Sequence, residues 1–213
     1  VGGHLVAHEA AALALPIVAV EGDANGVRLF LERPPAFEFE PGQFLTITTT
    51  IDGTEHRRQY SIFTSPGDRA RLGLAVRRVA TGVVSNYLAD TLSVGDSMLA
   101  DGPSGRFTLS AAATDTKLVL VAGGVGITPL LSIGSAAAAS GRRVELIYAN
   151  RDENSIIFKA ELDELARTHP DRLEVVHCLD VVDGFLDRDA VKRHIGTDVG
   201  ADFYLCGPGP FMA

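Results

Sequence analysis

From about Leu13 to Leu109 the chain alternates apolar and polar positions over short runs: "IVAVEGDANGVRLFLERP", "GQFLTITTTIDG", "RRQYSIFTS" and "RLGLAVRRV", each bounded by turn residues. Alternation with period two in β-branched segments marks half-buried strands, and four or more closely spaced strands without long helices predict an antiparallel barrel or sandwich. A short helix over residues 84–92 interrupts the series. From Lys117 the pattern changes. "KLVLVAGG", "RRVELIYAN", "RLEVVHCLD" and "DFYLCG" are near-continuous apolar runs, separated by helical stretches such as "FKAELDELARTH". Strands of that kind are buried on both faces, and strand alternating with helix predicts a parallel sheet with right-handed crossovers. The alanine run at 136–139 fits a close-packed helix. The two patterns meet in "SAAATDT", residues 110–116, so the chain divides into an antiparallel barrel or sandwich domain, 1–112, and an α/β parallel-sheet domain, 113–213.

Composition narrows the possibilities. The chain has 213 residues, 46% of them hydrophobic and 22% charged, and no apolar run approaches the roughly 20 residues of a membrane span. A net charge of −8 without a basic stripe argues against a nucleic-acid partner. Cys178 and Cys206 are the only cysteines, too few for a disulfide framework or a four-cysteine metal or iron–sulfur site, and a reduced, cytoplasmic setting is expected. No metal site is expected, because no pair of histidines has ligand spacing. The opening "VGGHLVAHEAAALALP" carries His4, His8 and Glu9 and no basic leader, which reads as a frayed end or altered first strand and not a signal peptide.

Candidate chemistry concentrates at the first strand-to-helix turn of the second half, "VAGGVGITPLLS". Gly123, Gly124 and Gly126 permit a tight turn and close backbone approach, and a helix beginning near Ile127 aims its free amides and positive dipole end at the same point. A pyrophosphate fits such a place, as does simple helix–strand packing. Pro129 suits a helical first turn. "YLCGPGPFM" places Cys206, Gly207 and Pro208 at the carboxyl edge of the last strand, where open α/β sheets bind ligands. In "RRQYSIFTSP", alternation puts Arg58 and Tyr60 on one face and Ser61 on the other; alone, the stretch also reads as a solvated basic face. Cys178 reads as core, with His177 on the opposite face, and Glu161, Asp163 and Glu164 as a solvated helix face.

Taken in order, "PGQF" at 41–44, "RQYS" at 58–61, "TGVVS" at 81–85, "GPSGRF" at 102–107, "GGVGITP" at 123–129 and "CGP" at 206–208 span nearly the whole chain. In this series the chain resembles the ferredoxin reductase-like family of FAD and NAD(P)H reductases, among them reductase components of bacterial oxygenases of the phenylacetyl-CoA oxygenase and ketosteroid hydroxylase type. The resemblance implies an FAD-binding barrel followed by an NAD(P)-binding domain, the latter incomplete at its C-terminus. Arg58 would then pair with the FAD pyrophosphate, Tyr60 pack along the flavin or ribityl chain, and Ser61 direct its hydroxyl toward flavin N5, with Gln59 and Val76 also in contact. Gly82, Val83, Val84 and Ser85 would offer donors to the phosphates at a helix start, where Ser85 alone also reads as a plain cap. Thr128 and Cys206 would flank the nicotinamide, and Gly123, Gly124, Gly126, Gly207 and Pro208 would carry the rest of the coenzyme. Ser61, Thr128 and Cys206 are accordingly the expected catalytic positioners.

The implied reaction is hydride transfer from NAD(P)H to FAD and single-electron delivery to an iron–sulfur protein or oxygenase component. The 2Fe–2S centre usual in this group would lie on a missing domain or a separate partner. Arg151 and Asp152 follow the second parallel strand, 26 residues beyond Gly126 for Asp152, near the roughly 20-residue offset of a ribose-recognition group. Arg151 would welcome a 2′-phosphate and Asp152 repel it; with no second cation through Ile157, NADH is favoured over NADPH. The alternatives are the reductase half of a flavohaemoglobin-like or free-flavin system, and a non-catalytic module of the same fold.

Overall fold

The computed structural model describes residues 12–22, 25–109, 116–196 and 200–212. The reading of the N-terminal segment, and most of the stretch assigned as the domain boundary, lie outside the described residues. The first half builds β1 (Leu13–Gly22), β2 (Gly26–Glu32), β3 (Phe44–Ile51), β4 (Thr54–Ser61), β5 (Arg71–Arg77), α1 (Val83–Thr91) and β6 (Ser97–Ser104). These strands form one antiparallel sheet in the order β4-β3-β6-β1-β2-β5. It curls so that Ile62, just past β4, bridges Leu74 of β5. Alternate residues of successive strands fill the interior: Leu15 and Ile17, Leu29 and Leu31, Leu45 and Ile47, Leu72 and Leu74. Period two in the sequence thus becomes one apolar face. Val84 and Leu88, four apart on α1, seat that helix on the same core.

The strand β6 escapes the alternation rule. Its sequence, "SMLADGPS", buries only Met98 and Ala100 and then runs into Gly102 and Pro103, so pairing with β1 and β3, not an apolar pattern, makes it a strand.

The second half contains β7 (Leu118–Gly123), α2 (Ile127–Ala139), β8 (Val144–Asn150), α3 (Lys159–Thr168), β9 (Leu173–Leu179), the single turn α4 (Asp180–Asp183), α5 (Arg188–Ile195) and β10 (Asp202–Cys206). All four strands are parallel, in the order β10-β7-β8-β9. Every residue of β7 and β8 is buried, which explains their near-continuous apolar runs; the exceptions in β8 are Glu145, paired with Lys117, and Asn150. In β7, Leu118, Leu120 and Ala122 join one apolar cluster, while Val119 and Val121 join another on the opposite face. Cys178 lies in the second cluster as expected, and His177 on the other face, its ring 5.9 Å from that of Tyr148.

The cluster that includes α2 also contains Phe30 of β2 and Phe63, so the two halves share an apolar seam. The rings of Phe30 and Phe63 meet edge-on at 5.6 Å, and Phe63 lies 4.6 Å from Phe158 of the second half. The Ser132 hydroxyl of α2 donates to the Thr64 carbonyl at 2.9 Å. Glu161 corrects the expectation of a solvated face on α3: it pairs with Arg28 of β2, which also holds Glu21 at 2.8 Å. Asp163 and Glu164 remain exposed, in ion pairs with Lys159 and Arg167. Among the described residues no helix is long and apolar enough to cross a membrane.

Candidate functional site

In the second sheet β7 connects through α2 to β8 on one side, while β10 returns to the other side of β7. The carboxyl ends of β7 and β10 therefore lie side by side at the edge of the sheet where open α/β sheets take ligands. Both glycine-containing turns sit there. A Cβ placed on Gly126 would stand 2.2 Å from the Cys206 carbonyl oxygen and 2.7 Å from the Gly207 nitrogen, so the two turns are in backbone contact and tolerate no side chain at 126. The ring of Phe211 lies against Gly123 and Gly207, spanning both. Gly124 adopts φ +51°, in the left-handed region that favours glycine.

From these turns a cleft of about 1080 Å³ opens across the carboxyl ends of the strands, with Gly124, Asn150 and Pro208 in one wall and Gly26 and Arg77 of the barrel in the other. Arg77 extends from β5 so that its Nη1 stands 3.5 Å from where a Cβ on Gly124 would be. A cation thus overhangs the glycine turn. The buried Tyr148 hydroxyl donates to the Gly124 carbonyl at 3.1 Å, and burial pushes its pKa up to about 12, so it keeps its proton and holds that carbonyl in place. Asn150, at the end of β8, is buried beside the Tyr148 hydroxyl, and its side-chain amide nitrogen makes no hydrogen bond of normal geometry among the described residues. An orphaned donor costs free energy unless a ligand satisfies it. A glycine turn followed by a helix without an acidic first turn, an overhanging guanidinium and an orphaned amide fit an anionic dinucleotide.

The barrel side presents the second group of expected residues. Arg58 and Tyr60 pair across the ladder with Ile47 and Leu45, both core residues, so the two polar groups share the core-facing side of β4 at the barrel's open end. Tyr60 is half-buried against the barrel core, and burial raises its phenol pKa despite Arg58 nearby. The Arg58 guanidinium donates to the Arg57 carbonyl at 2.8 Å and pairs with no carboxylate among the described residues. Arg57, on the opposite face, is paired with Asp101 at 2.8 Å. Ser61 closes the strand opposite Phe44, and Gln59 is exposed opposite Thr46. Helix α1 begins after Gly82 with no side-chain cap, which leaves its first amides for a ligand. A Cβ on Gly82 would meet Ser85 Oγ at 2.5 Å. An unpaired arginine, a half-buried tyrosine and an uncapped helix start fit a flavin carrying a pyrophosphate.

Several expected roles change on this geometry. Val76 and Val84 bury their side chains in the barrel core, so only their backbone faces a ligand. Ser85 is not a cap: it is the third helical residue, and its hydroxyl accepts from the Val79 amide at 3.2 Å. Thr128 is 7% exposed and donates to the Val125 carbonyl at 3.0 Å, inside its own turn. Its hydroxyl is turned away from the cleft because the first turn of a helix supplies a nearer acceptor. Asp152 does not stand open toward a ribose. Its carboxylate accepts from the Ser155 amide at 3.0 Å in a capping box and from Arg151 Nε at 2.8 Å, and the Arg151 guanidinium holds its carboxyl below the usual range. Cys206 is half-buried and burial raises its thiol pKa, which suits a neutral positioning group and not a thiolate nucleophile.

Sequence reasoning missed Arg77, Asn150 and Phe211. Period two offered a signal for the first: with Val76 inward, its neighbour must point out. Asn150 ends an all-buried strand, where a polar residue is conspicuous. Nothing in the sequence shows that Phe211 folds back over the glycines.

Comparison with known proteins agrees with this construction. Residues 17–109 match the oxidoreductase FAD-binding domain and residues 120–213 the oxidoreductase NAD-binding domain. The chain belongs to the flavin- and NAD-binding oxidoreductases built from these two domains. Within that class, it is 43% identical to a 3-ketosteroid-9-alpha-monooxygenase ferredoxin reductase component of Mycolicibacterium smegmatis, over 82% of this chain and 49% of the relative. A Pseudomonas putida flavohemoprotein is 39% identical over 84% of this chain and 47% of its own. The chain spans about half the length of both relatives. The crystal structure of an Amycolatopsis cytochrome P450 reductase superposes with a TM-score of 0.82 at 29% identity, covering 94% of this chain and 62% of that one.

Proposed function

We propose that this chain takes hydride from NADH onto a bound FAD and passes electrons singly to an iron–sulfur protein or oxygenase component. The observation that carries the reading is the pair of facing sites, the barrel's open end with Arg58 and Tyr60 and the cleft at the sheet's carboxyl edge with Gly123, Gly124 and Arg77, held together by a common apolar seam. The flavin supplies the step from a two-electron donor to a one-electron acceptor. The protein's part is positional. Arg58 and the start of α1 hold a pyrophosphate on the barrel, and Ser61 places a hydroxyl beside the reacting ring. Arg77, the Asn150 amide and the turn at Gly124 hold the second pyrophosphate, with Tyr148 fixing that turn. Cys206 and the turn at Gly207 and Pro208 set the depth at which a nicotinamide rests. Phe211, packed over the glycines, excludes water from the back of the site.

The direct test is anaerobic mixing of the flavin-loaded protein with NADH or NADPH while the flavin's visible absorbance is followed. Rapid bleaching by NADH is expected, and an oxidised spectrum with both coenzymes would remove the reading. Preference for NADH rests on the Arg151–Asp152 pair, in which the cation that directly follows β8 is already neutralised, with no second Lys or Arg through Ile157. Asp152→Ser keeps a capping hydroxyl but frees Arg151, and is expected to improve kcat/KM for NADPH relative to NADH by about tenfold. An unchanged ratio would show that coenzyme choice lies elsewhere.

The 39% identity to a flavohemoprotein supports haem as the second acceptor class. Faster reoxidation of the reduced protein by a haem domain than by a 2Fe–2S protein would favour it.

A further inference from the structure

Two kinds of contact join the halves of the molecule, and they differ in burial. The apolar seam of Phe30, Phe63 and Phe158 is buried, whereas the ion pair from Arg28 of β2 to Glu161 of α3 is partly exposed and stands in the wall of the cleft. Arg28 has three partners. Its Nη2 meets Glu21, its direct cross-strand neighbour on β1, at 2.8 Å; its Nη1 meets Glu161; and its guanidinium lies 5.6 Å from the centroid of the Phe158 ring. Glu21 belongs to the same sheet and serves to aim the guanidinium. Glu161 belongs to the other half. With the Arg28 and Glu161 side chains 32% and 38% exposed, their pair adds little to stability, which the seam already supplies. What the pair adds is direction.

We infer that Arg28 is a positioning residue for hydride transfer, acting through Glu161 to hold the nucleotide half at a fixed reach from the barrel; the inference rests on the function proposed above. The route from the ion pair to the coenzyme turn is short. Glu161 lies in the first turn of α3, which begins just after Phe158. The Ile157 carbonyl oxygen that precedes it lies 3.5 Å from the Tyr148 hydroxyl, and the same hydroxyl donates to the Gly124 carbonyl at 3.1 Å. One tyrosine therefore packs against both the segment that Arg28 holds and the turn on which a pyrophosphate would rest. Hydride transfer depends steeply on reach: reacting atoms must stand about 3–3.5 Å apart, and a misplacement of about 1 Å can cost on the order of a hundredfold. With the flavin on the barrel and the coenzyme turn in the other half, contacts between the halves set that distance. The apolar seam is non-directional and resists separation more than tilt; a guanidinium–carboxylate contact in the cleft wall has a preferred geometry and resists tilt.

The test reads hydride transfer directly, as the limiting rate of anaerobic flavin reduction at saturating NADH, in flavin-loaded wild type, Arg28→Met, Glu161→Gln and the double variant. Methionine keeps an apolar stem against Phe158. Each single variant is expected to lower the limiting rate by about two- to fivefold, the scale of a partly exposed ion pair. Flavin content, thermal midpoint and the NADH concentration for half-saturation should change little. The double variant should be no slower than the slower single, because the two side chains act as one contact. Salt gives an independent reading: raising the ionic strength from about 0.05 M to about 0.5 M screens the pair, and should slow wild type toward the variants while leaving the double variant as it was. Glu164→Gln, which removes an exposed charge from the same helix, should match wild type under both conditions. Unchanged limiting rates in the single variants, or losses that multiply in the double, would overturn the positioning role. So would a change confined to half-saturation, which would mean that the pair meets the coenzyme and not the other half. If NADH does not reduce wild type at all, the proposed function itself fails.

Discussion

Arg58 and Arg33 are the same residue type used for opposite ends. Arg33 is buried, stacks on Phe39, and donates to the carbonyls of Phe37, Pro66 and Asp68 at 2.7–2.9 Å, so its donors are spent inside the barrel. Arg58 stands at the barrel mouth without a carboxylate partner among the described residues. Arg58→Ala is therefore expected to leave the fold intact and weaken FAD retention by about 2 kcal/mol, the scale of a charge-assisted hydrogen bond. Flavin content after dilution and gel filtration reads it, and full occupancy would refute the assignment. Arg58 was legible in the sequence because a strand's alternation placed it beside Tyr60. Arg33 was not, since its carbonyl partners at Pro66 and Asp68 lie 33 and 35 positions away and leave no mark in composition or spacing. The local partners of the Thr128 and Ser85 hydroxyls were not legible either: they are nearby backbone groups that compete with any ligand.

Between β7 and α2 the chain turns through a short 3-10 segment, Gly124–Gly126, and presses its last glycine on the end of β10. Gly126→Ala must push two backbones apart. A cost of about 1–3 kcal/mol is expected, as for other overpacked sites, together with weaker coenzyme binding and flavin still bound on the barrel. Thermal unfolding and titration with NAD⁺ separate the two effects; unchanged coenzyme affinity would mean that the β10 turn plays no part in the site. Glycines and strands at this turn were readable directly, since strand, glycines and helix follow one another in the sequence. Contact with β10 was readable only as a shared edge, because it depends on which side of β7 the last strand returns to. β6 shows the limit of pattern reading: its neighbours β1 and β3 make it a strand although its own residues argue for a loop.

Two patterns of periodicity predicted two sheets, and both are present. What they did not predict is how closely the sheets are joined. Phe30 and Phe63 come from strand-rich sequence, Phe158 from a helix start at φ +61°, and nothing in the spacing of these rings announces that they stack together. Phe63→Ala is expected to cost about 3–5 kcal/mol and to lower both halves at once. Hydrogen exchange at amides of β3 and β8 measures this, and loss of protection in one half alone would show the seam to be energetically idle. The seam also limits how such chains are recombined. A spliced reductase that takes its flavin half from one ancestor and its nucleotide half from another inherits a lock without its key unless the residues at 30, 63 and 158 travel together. A breakpoint at residues 110–115, however permissive it looks along the chain, divides rings that pack as one piece.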